Sequence, residues 1–426
     1  MAEAKTKKRS RRAVLLGGGA LALAGIGAAL RPSEEGKGGH DAYFAALSQA
    51  LARAGVNRPA LVIDRERLDA NIKAVRASLA GSGLPLRVVA KSLPAPRLIG
   101  AVMDGMASER LMLFSEAMLE QVAPLHPEAD ILLGKPLPVA EFSRFADRAG
   151  AEAAARVQWL IDTPQRLDAY MQAAKARDIA LRANIEIDVG LHRGGFSDPA
   201  ALVEVLRPAL PQGGVAVSGL MGYDAHIPKM PGPDGAYGKA QAAYAGFVAA
   251  LGEAGVARPE RLTLNAAGSP TFRRHARGTV ANEVAVGSAF VKPGDFDLAD
   301  LDDLAPAAFI ATPVLKAIDS MDLPGVEFAS PLLHWWDRNS RRGFFIHGGH
   351  WLAQPVSPAG LRYSGLYGRS SNQELLTGSA GVALTPGDHA FLRPDQSEAV
   401  LLLFGDIAVF DGGEIAEWWP TLPVSA

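Results

Sequence analysis

Val88-Val89-Ala90-Lys91-Ser92 is an apolar, β-branched run closed by a lysine. With its neighbours it forms the stretch Leu86–Ala90, short and flanked by turn residues, which reads as a buried strand. The same texture recurs at Leu111–Phe114, Ile131–Leu133, Val157–Ile161, Ala183–Asp188, Val215–Met221, Leu262–Leu264 and Val284–Val291, most with room for one helix between them. A further strand, Ala60-Leu61-Val62-Ile63, precedes them. It leads into a helix from about Glu66 to Leu79, where Leu68, Ile72, Val75 and Leu79 share one face. Strands that are apolar throughout, rather than alternating, belong to a parallel sheet buried on both faces. Eight such units over about 210 residues predict an α/β fold, a (β/α)8 TIM-type barrel. No GxGxxG follows the first strand, which counts against a dinucleotide site.

The texture changes near residue 300. Asp297, Asp300, Asp302 and Asp303 make an acidic link. Beyond it, Phe344–Ile346, Gly381–Leu384, Ala390–Leu392, Ala399–Phe404 and Ile407–Phe410 read as short strands, and Asp411-Gly412-Gly413 as a hairpin turn. The expected organisation is a leader and linker over 1–40, a barrel over 41–300 and a C-terminal all-β domain over 301–426.

The 426 residues carry 43 basic and 45 acidic side chains, a net charge of −2, which argues against a nucleic-acid-binding protein. There is no cysteine, so disulfides, thiolate metal sites and cysteine nucleophiles are excluded. The leader has a basic head (Lys5, Lys7, Lys8, Arg9, Arg11, Arg12) and an uncharged stretch from Ala13 to Leu30, made only mildly hydrophobic by five glycines. Ser10-Arg11-Arg12-Ala13-Val14-Leu15 resembles a twin-arginine signal. The implied partner is the twin-arginine export machinery. The implied location is periplasmic or exported, with the signal either cut or kept as an inner-membrane anchor. That route carries folded proteins, which suits a protein that loads a cofactor before export.

In such barrels the site lies at the carboxyl ends of the strands. Lys91 stands there, either as a Schiff-base nucleophile or as a rim lysine reaching water. Glu186-Ile187-Asp188-Val189-Gly190-Leu191-His192-Arg193-Gly194-Gly195 is either a ligand-wrapping loop or a charged turn. Tyr223 and His226 close the next strand. Asn265-Ala266-Ala267-Gly268-Ser269-Pro270-Thr271 and Gly287-Ser288 follow the last two strands, the usual phosphate-binding place in a barrel. A phosphate there and an aldehyde at Lys91 describe pyridoxal 5′-phosphate.

As a set, these segments resemble the fold type III pyridoxal-phosphate enzymes: Arg58-Pro59-Ala60-Leu61-Val62-Ile63-Asp64, Val89-Ala90-Lys91, the Asp188–Gly195 segment, Gly219–Tyr223 with His226, and Gly268-Ser269-Pro270-Thr271. Within that fold the chain looks most like the D-threonine aldolase and D-serine dehydratase family, over about residues 55–410. The resemblance implies a homodimer and a small amino-acid substrate. It implies that Lys91 binds the cofactor covalently, that Arg193 lies near the ring nitrogen, and that Tyr223 approaches the ring. Gly268, Ser269, Thr271, Gly287 and Ser288 would hold the phosphate, with Asn265 and His226 nearby. Lys91, Tyr223 and His226 are the expected catalytic residues.

The family's metal pair, in a P-N-H-x-C/D motif, corresponds here to Pro394-Asp395-Gln396-Ser397-Glu398. Gln396 and Glu398 would suit Mn²⁺, Mg²⁺ or Ca²⁺ rather than Zn²⁺, unless the site is lost. The implied reaction is a D-3-hydroxy-amino-acid lyase, with a racemase or a non-catalytic exported barrel as alternatives. His347-Gly348-Gly349-His350 reads as a turn and Trp418-Trp419-Pro420 as packing.

Overall fold

The computed structural model describes residues 31–210 and 214–424. The twin-arginine segment lies outside the described residues. The strands, in chain order, are β1 (Ala60–Asp64), β2 (Leu86–Val89), β3 (Arg110–Leu113), β4 (Asp130–Leu133), β5 (Gln158–Ile161), β6 (Leu181–Glu186), β7 (Val215–Gly222), β8 (Thr263–Ala266) and β9 (Glu283–Val286). They continue as β10 (Ala308–Ile318), β11 (Arg342–His347), β12 (Ala353–Ser357), β13 (Arg362–Tyr363), β14 (Gln373–Gly378), β15 (His389–Pro394), β16 (Ile407–Asp411) and β17 (Glu414–Trp419).

β2 to β9 close an eight-stranded parallel barrel, with β2 pairing β9 through Leu86–Val284 and Val88–Val286. Burial of both faces explains why these strands are apolar throughout. Trp159 of β5 shows the packing behind them: it is fully buried, meets Phe142 edge-on at 4.8 Å, and donates its indole N–H to the Ala154 carbonyl.

The barrel's amino-terminal layer is polar, which the apolar texture of the strands conceals. Arg87 of β2 is fully buried and forms a bidentate pair with Glu283 of β9, at 2.6 and 2.9 Å. It also donates to the Asp130 carboxylate of β4 at 2.6 Å. Gln158 donates to Asp130, Asn184 donates to Gln158, and Arg182 reaches Asp130 at 3.1 Å. Each buried charge thus meets an opposite charge or an amide, the condition for keeping it inside.

The chain divides into two units. One holds the barrel from Gln49 to Ala311, together with Trp351–Gln354 and everything from Leu392 onward. In this unit β1 stands outside the barrel, antiparallel to the start of β10 and parallel to β16, which pairs with β17. The other unit contains Thr312–His350, Pro355–Phe391 and the described residues up to Ser48. Its sheet runs from the end of β10 through β11 and β14 to β13, all antiparallel.

Two expected strands are not strands. Ala399–Phe404 falls in a short helix, Glu398–Leu401, and the turn after it. A short apolar run carries no period that separates strand from helix. Gly381–Leu384 holds only an isolated bridge at Val382. The eighth barrel run is also shorter than Val284–Val291, since β9 ends at Val286 and Ser288–Phe290 is a 3-10 turn. The expected turn at His347–His350 is only partly one: His347 closes β11 and Gly348 still bridges Gln373, and the backbone is left-handed at Gly348, Gly349 and His350.

Candidate active site

The carboxyl ends of the barrel strands surround a cavity of about 570 Å³. Lys91 enters it from a 3-10 turn, Ala90–Ser92, directly after β2. Its ammonium lies 3.1 Å from Glu398 Oε1 and 5.1 Å from the centre of the Phe114 ring. Across the strand ends, the Arg193 guanidinium stacks on the Tyr223 ring at 4.8 Å and approaches Glu186 at 3.9 Å. Arg193, Tyr223 and Glu186 all line the cavity. Burial pushes the Tyr223 phenol above its ordinary range, more than the neighbouring Arg193 pulls it down. Burial likewise raises the Glu186 carboxyl despite Arg193.

Two loops wall another side: Ala267–Pro270 after β8 and Gly287-Ser288 after β9. The Ser269 hydroxyl accepts the Ala289 N–H at 2.9 Å, which ties one loop to the other and leaves its own proton to donate. Ser288 joins Ser92 and Ser397 in a buried hydroxyl chain, at 2.9 and 3.0 Å. A Cβ on Gly287 would stand 2.7 Å from the Val89 carbonyl oxygen and 3.0 Å from Ser92 Cβ. Val89 is paired backbone and cannot yield cheaply, so Gly287→Ala should destabilise the fold by about 1–3 kcal/mol. Denaturant unfolding checks this; an unchanged midpoint would show that the turn has slack.

Not every expected residue reaches the cavity. Thr271 is buried behind the loop, accepting the Gly268 N–H and donating to Asp224 at 2.6 Å. Asp224 in turn pairs with buried His275 at 2.8 Å. Thr271 therefore shapes the loop and does not face the cavity. His226 is not among the cavity-lining residues either. Its ring packs beneath the Gly190 turn, 3.3 Å from where a Cβ there would stand, and its Nδ1 has no hydrogen-bond partner among the described residues. Asn265 does line the cavity, and its amide donates to Glu283 at 2.7 Å, linking the cavity to the Arg87 network. His192 is held by Asp188 and points to solvent.

The two expected metal ligands turn to different partners. Gln396 donates its amide N–H to Asp295 at 3.0 Å, and Glu398 holds Lys91. Each of the two is thus engaged by a different protein partner. Among the described residues no group of three or more His, Cys, Asp or Glu side chains is placed to hold one.

Phe114, Lys135 and Asp162 also line the cavity, and sequence reasoning passed over them. Each follows the last residues of its strand, β3, β4 and β5. Position at a strand's carboxyl end was the signal that could have found them.

Residues 63–293, more than half of the chain, match the family model "Alanine racemase, N-terminal domain". The chain belongs to this family. Its barrel, with Lys91 at the mouth, is thus an alanine racemase N-terminal domain carrying this chain's own cavity wall. Among solved structures it is similar to D-threonine aldolase from Filomicrobium marinum, at 18% identity over 86% of this chain and 95% of that one, with a TM-score of 0.69. D-threo-3-hydroxyaspartate dehydratase from Delftia sp. HT23 is similar at 16% identity over 87% and 98%, with a TM-score of 0.67. An alanine racemase from Bacillus anthracis follows at 13% identity over 85% and 98%, with a TM-score of 0.63. At these identities the likeness is one of fold. No curated protein matches the chain.

Proposed function

We propose that this family member is a pyridoxal-phosphate enzyme acting on a small D-3-hydroxy-amino acid as a lyase. The carrying observation is the Lys91 amine at the cavity mouth, with the Ser269 and Ser288 loops walling the same cavity. The donor set suits the cofactor. Lys91 supplies an amine for its aldehyde, the Ser269 hydroxyl and the close-packed Gly268 and Gly287 turns suit its phosphate, and Arg193 suits its ring. When bound, the cofactor supplies an electron sink for the pair left when a bond to Cα breaks.

The rest of the chemistry falls to the protein. Lys91 Nζ would hold the cofactor and is the base nearest to it, and Glu398 lies 3.1 Å from that amine. Tyr223 keeps its phenolic proton because burial disfavours the phenolate. It is therefore placed as a proton donor at the cavity. Phe114, Met112 and Met118 narrow the apolar side of the cavity, which suits a short side chain.

Export by the twin-arginine route and assembly as a homodimer belong to the same proposal. They rest on Ser10-Arg11-Arg12 and on the family resemblance.

The test is a panel of D- and L-3-hydroxy-amino acids with the cofactor-loaded protein. Release of an aldehyde, or of a 2-oxo acid with ammonia, from D-substrates alone supports the proposal. Exchange of the Cα proton with inversion and no cleavage would replace it with a racemase. A protein that stays colourless with added pyridoxal phosphate would leave the non-catalytic reading.

A further inference from the structure

In the unit that holds β11 and β14, the segment Val326–Trp336 turns large apolar side chains to solvent. Phe328 is 87% exposed, Leu332 66% and Trp335 51%. Leu332 and Trp335 lie three apart on one face of the helix Ser330–Trp336, and Phe328 stands in the turn Glu327–Ala329 just before it. Trp336 beside them is exposed as well. Singly exposed apolar residues need no explanation, but a contiguous aromatic face marks a contact surface.

What meets that face is indicated by where the chain enters the described structure. Arg31 stacks over the Trp335 ring at 5.3 Å and donates its Nε–H to the Trp336 carbonyl at 3.3 Å. The eighteen residues before it, Ala13–Leu30, carry no charge and follow a strongly basic head. As a helix they would be just long enough to cross a hydrocarbon core of about 30 Å. A segment kept in a bilayer leaves no slack before Arg31, since one residue reaches only about 3.5 Å. The Phe328–Trp336 face would then stand at the membrane surface. Tryptophan and arginine are the residues that favour this boundary, the ring in the headgroup layer and the cation on phosphate. Exposed Arg341 follows the helix with a positive charge, while Arg338 before it is paired with Glu34 at 3.2 Å.

We propose that the face formed by Phe328, Leu332, Trp335 and Trp336 docks on an anionic lipid bilayer in which Ala13–Leu30 is retained. The docking is intramolecular once the segment inserts, so even a small patch acts at high effective concentration. It would hold the enzyme against the membrane rather than on a free tether.

The test uses the full chain reconstituted into phosphatidylethanolamine and phosphatidylglycerol vesicles containing a phospholipid brominated on the upper acyl chain. Tryptophan emission should be quenched, and Trp335→Phe with Trp336→Phe should remove most of the quenching. The phenylalanines keep the aromatic bulk, and circular dichroism confirms the fold. Quenching that is absent, or unchanged in the double variant, overturns the proposal, as does failure of the full chain to float with the vesicles. A second copy on the face would instead appear as a dimer in detergent that Phe328→Ser with Leu332→Ser converts to monomer, without lipid quenching. The chain's own Ala13–Leu30 folded over the face would shield the tryptophans from both brominated lipid and aqueous iodide. Either result overturns lipid docking. Cofactor binding is read separately and is expected to be unaffected by these variants.

Discussion

Lys91→Ala is expected to abolish covalent capture of pyridoxal phosphate. Borohydride treatment of the loaded wild type should leave the reduced cofactor on the peptide containing Lys91, and on no peptide of the variant. The same amine is the only proposed base, so turnover should fall by at least the 10²–10⁴-fold (about) that one positioned proton transfer supplies. Loss of the attachment step lowers it further. Stability should change little, because the Lys91–Glu398 pair is about one-third exposed on each side and such pairs contribute about 0–1 kcal/mol. That contrast separates a chemical role from a structural one. A variant that still yields a reducible adduct would move the attachment to another lysine, with Lys135 on the same cavity wall the first to examine.

Arg87→Met is expected to do the reverse, acting on the fold first. Arg87 is fully buried, and its removal takes from Glu283, which is 3% exposed, its bidentate partner and leaves it only partly compensated. Breaking a buried pair in this way costs about 3–5 kcal/mol. Arg110 still reaches Glu283 at 3.1 Å and Arg182 still reaches Asp130, which places the expected loss toward the lower figure. Arg87→Met with Glu283→Gln should be less damaging than the sum of the single changes, because the second substitution removes the partly compensated charge. Urea unfolding of the four proteins measures this. Additive losses would show that the two side chains act independently. Asn265 hangs from Glu283 by its amide, so the single variant should also loosen the cavity floor.

The same network sets a pH dependence. Burial alone would raise the Asp130 carboxyl, but Arg87 and then Arg182 outweigh it and hold it below the ordinary range. A group depressed in the folded state contributes stability that is present above the unfolded carboxylate value of about 4 and is lost as pH falls through the lower folded value. Wild type should therefore lose more stability than Arg87→Met between neutral pH and pH values below about 4, and the gap between them should narrow. A gap that stays constant across that range would remove Asp130 from the account.

Local patterning already held the barrel. Eight runs of β-branched and aliphatic residues, most with room for a helix between them, leave few ways to bury both faces of every strand. A lysine closing the first of them points to the chemistry. That Lys91, Tyr223, Gly268 and Ser288 line the cavity was legible because a barrel places its cavity at strand ends, and strand ends can be read from sequence order. Arg87 was not. In the sequence it is one charged letter inside an apolar strand, and only closure of the barrel brings it to Glu283, 196 positions away. Glu398 was legible as a candidate ligand but not as the partner of Lys91. That pairing exists because residues from Leu392 onward pack with the barrel, a long-range contact with no local period to announce it. Thr271 and His226 carry the letters of a site and occupy its scaffold, since the same hydroxyl or imidazole serves a ligand or a neighbouring backbone equally well. Residue type and spacing determined the architecture and pointed to the chemistry proposed for it. Which polar groups face the cavity, and which brace it, was decided only when distant segments met, because burial and hydrogen-bond partnership are properties of the packed chain.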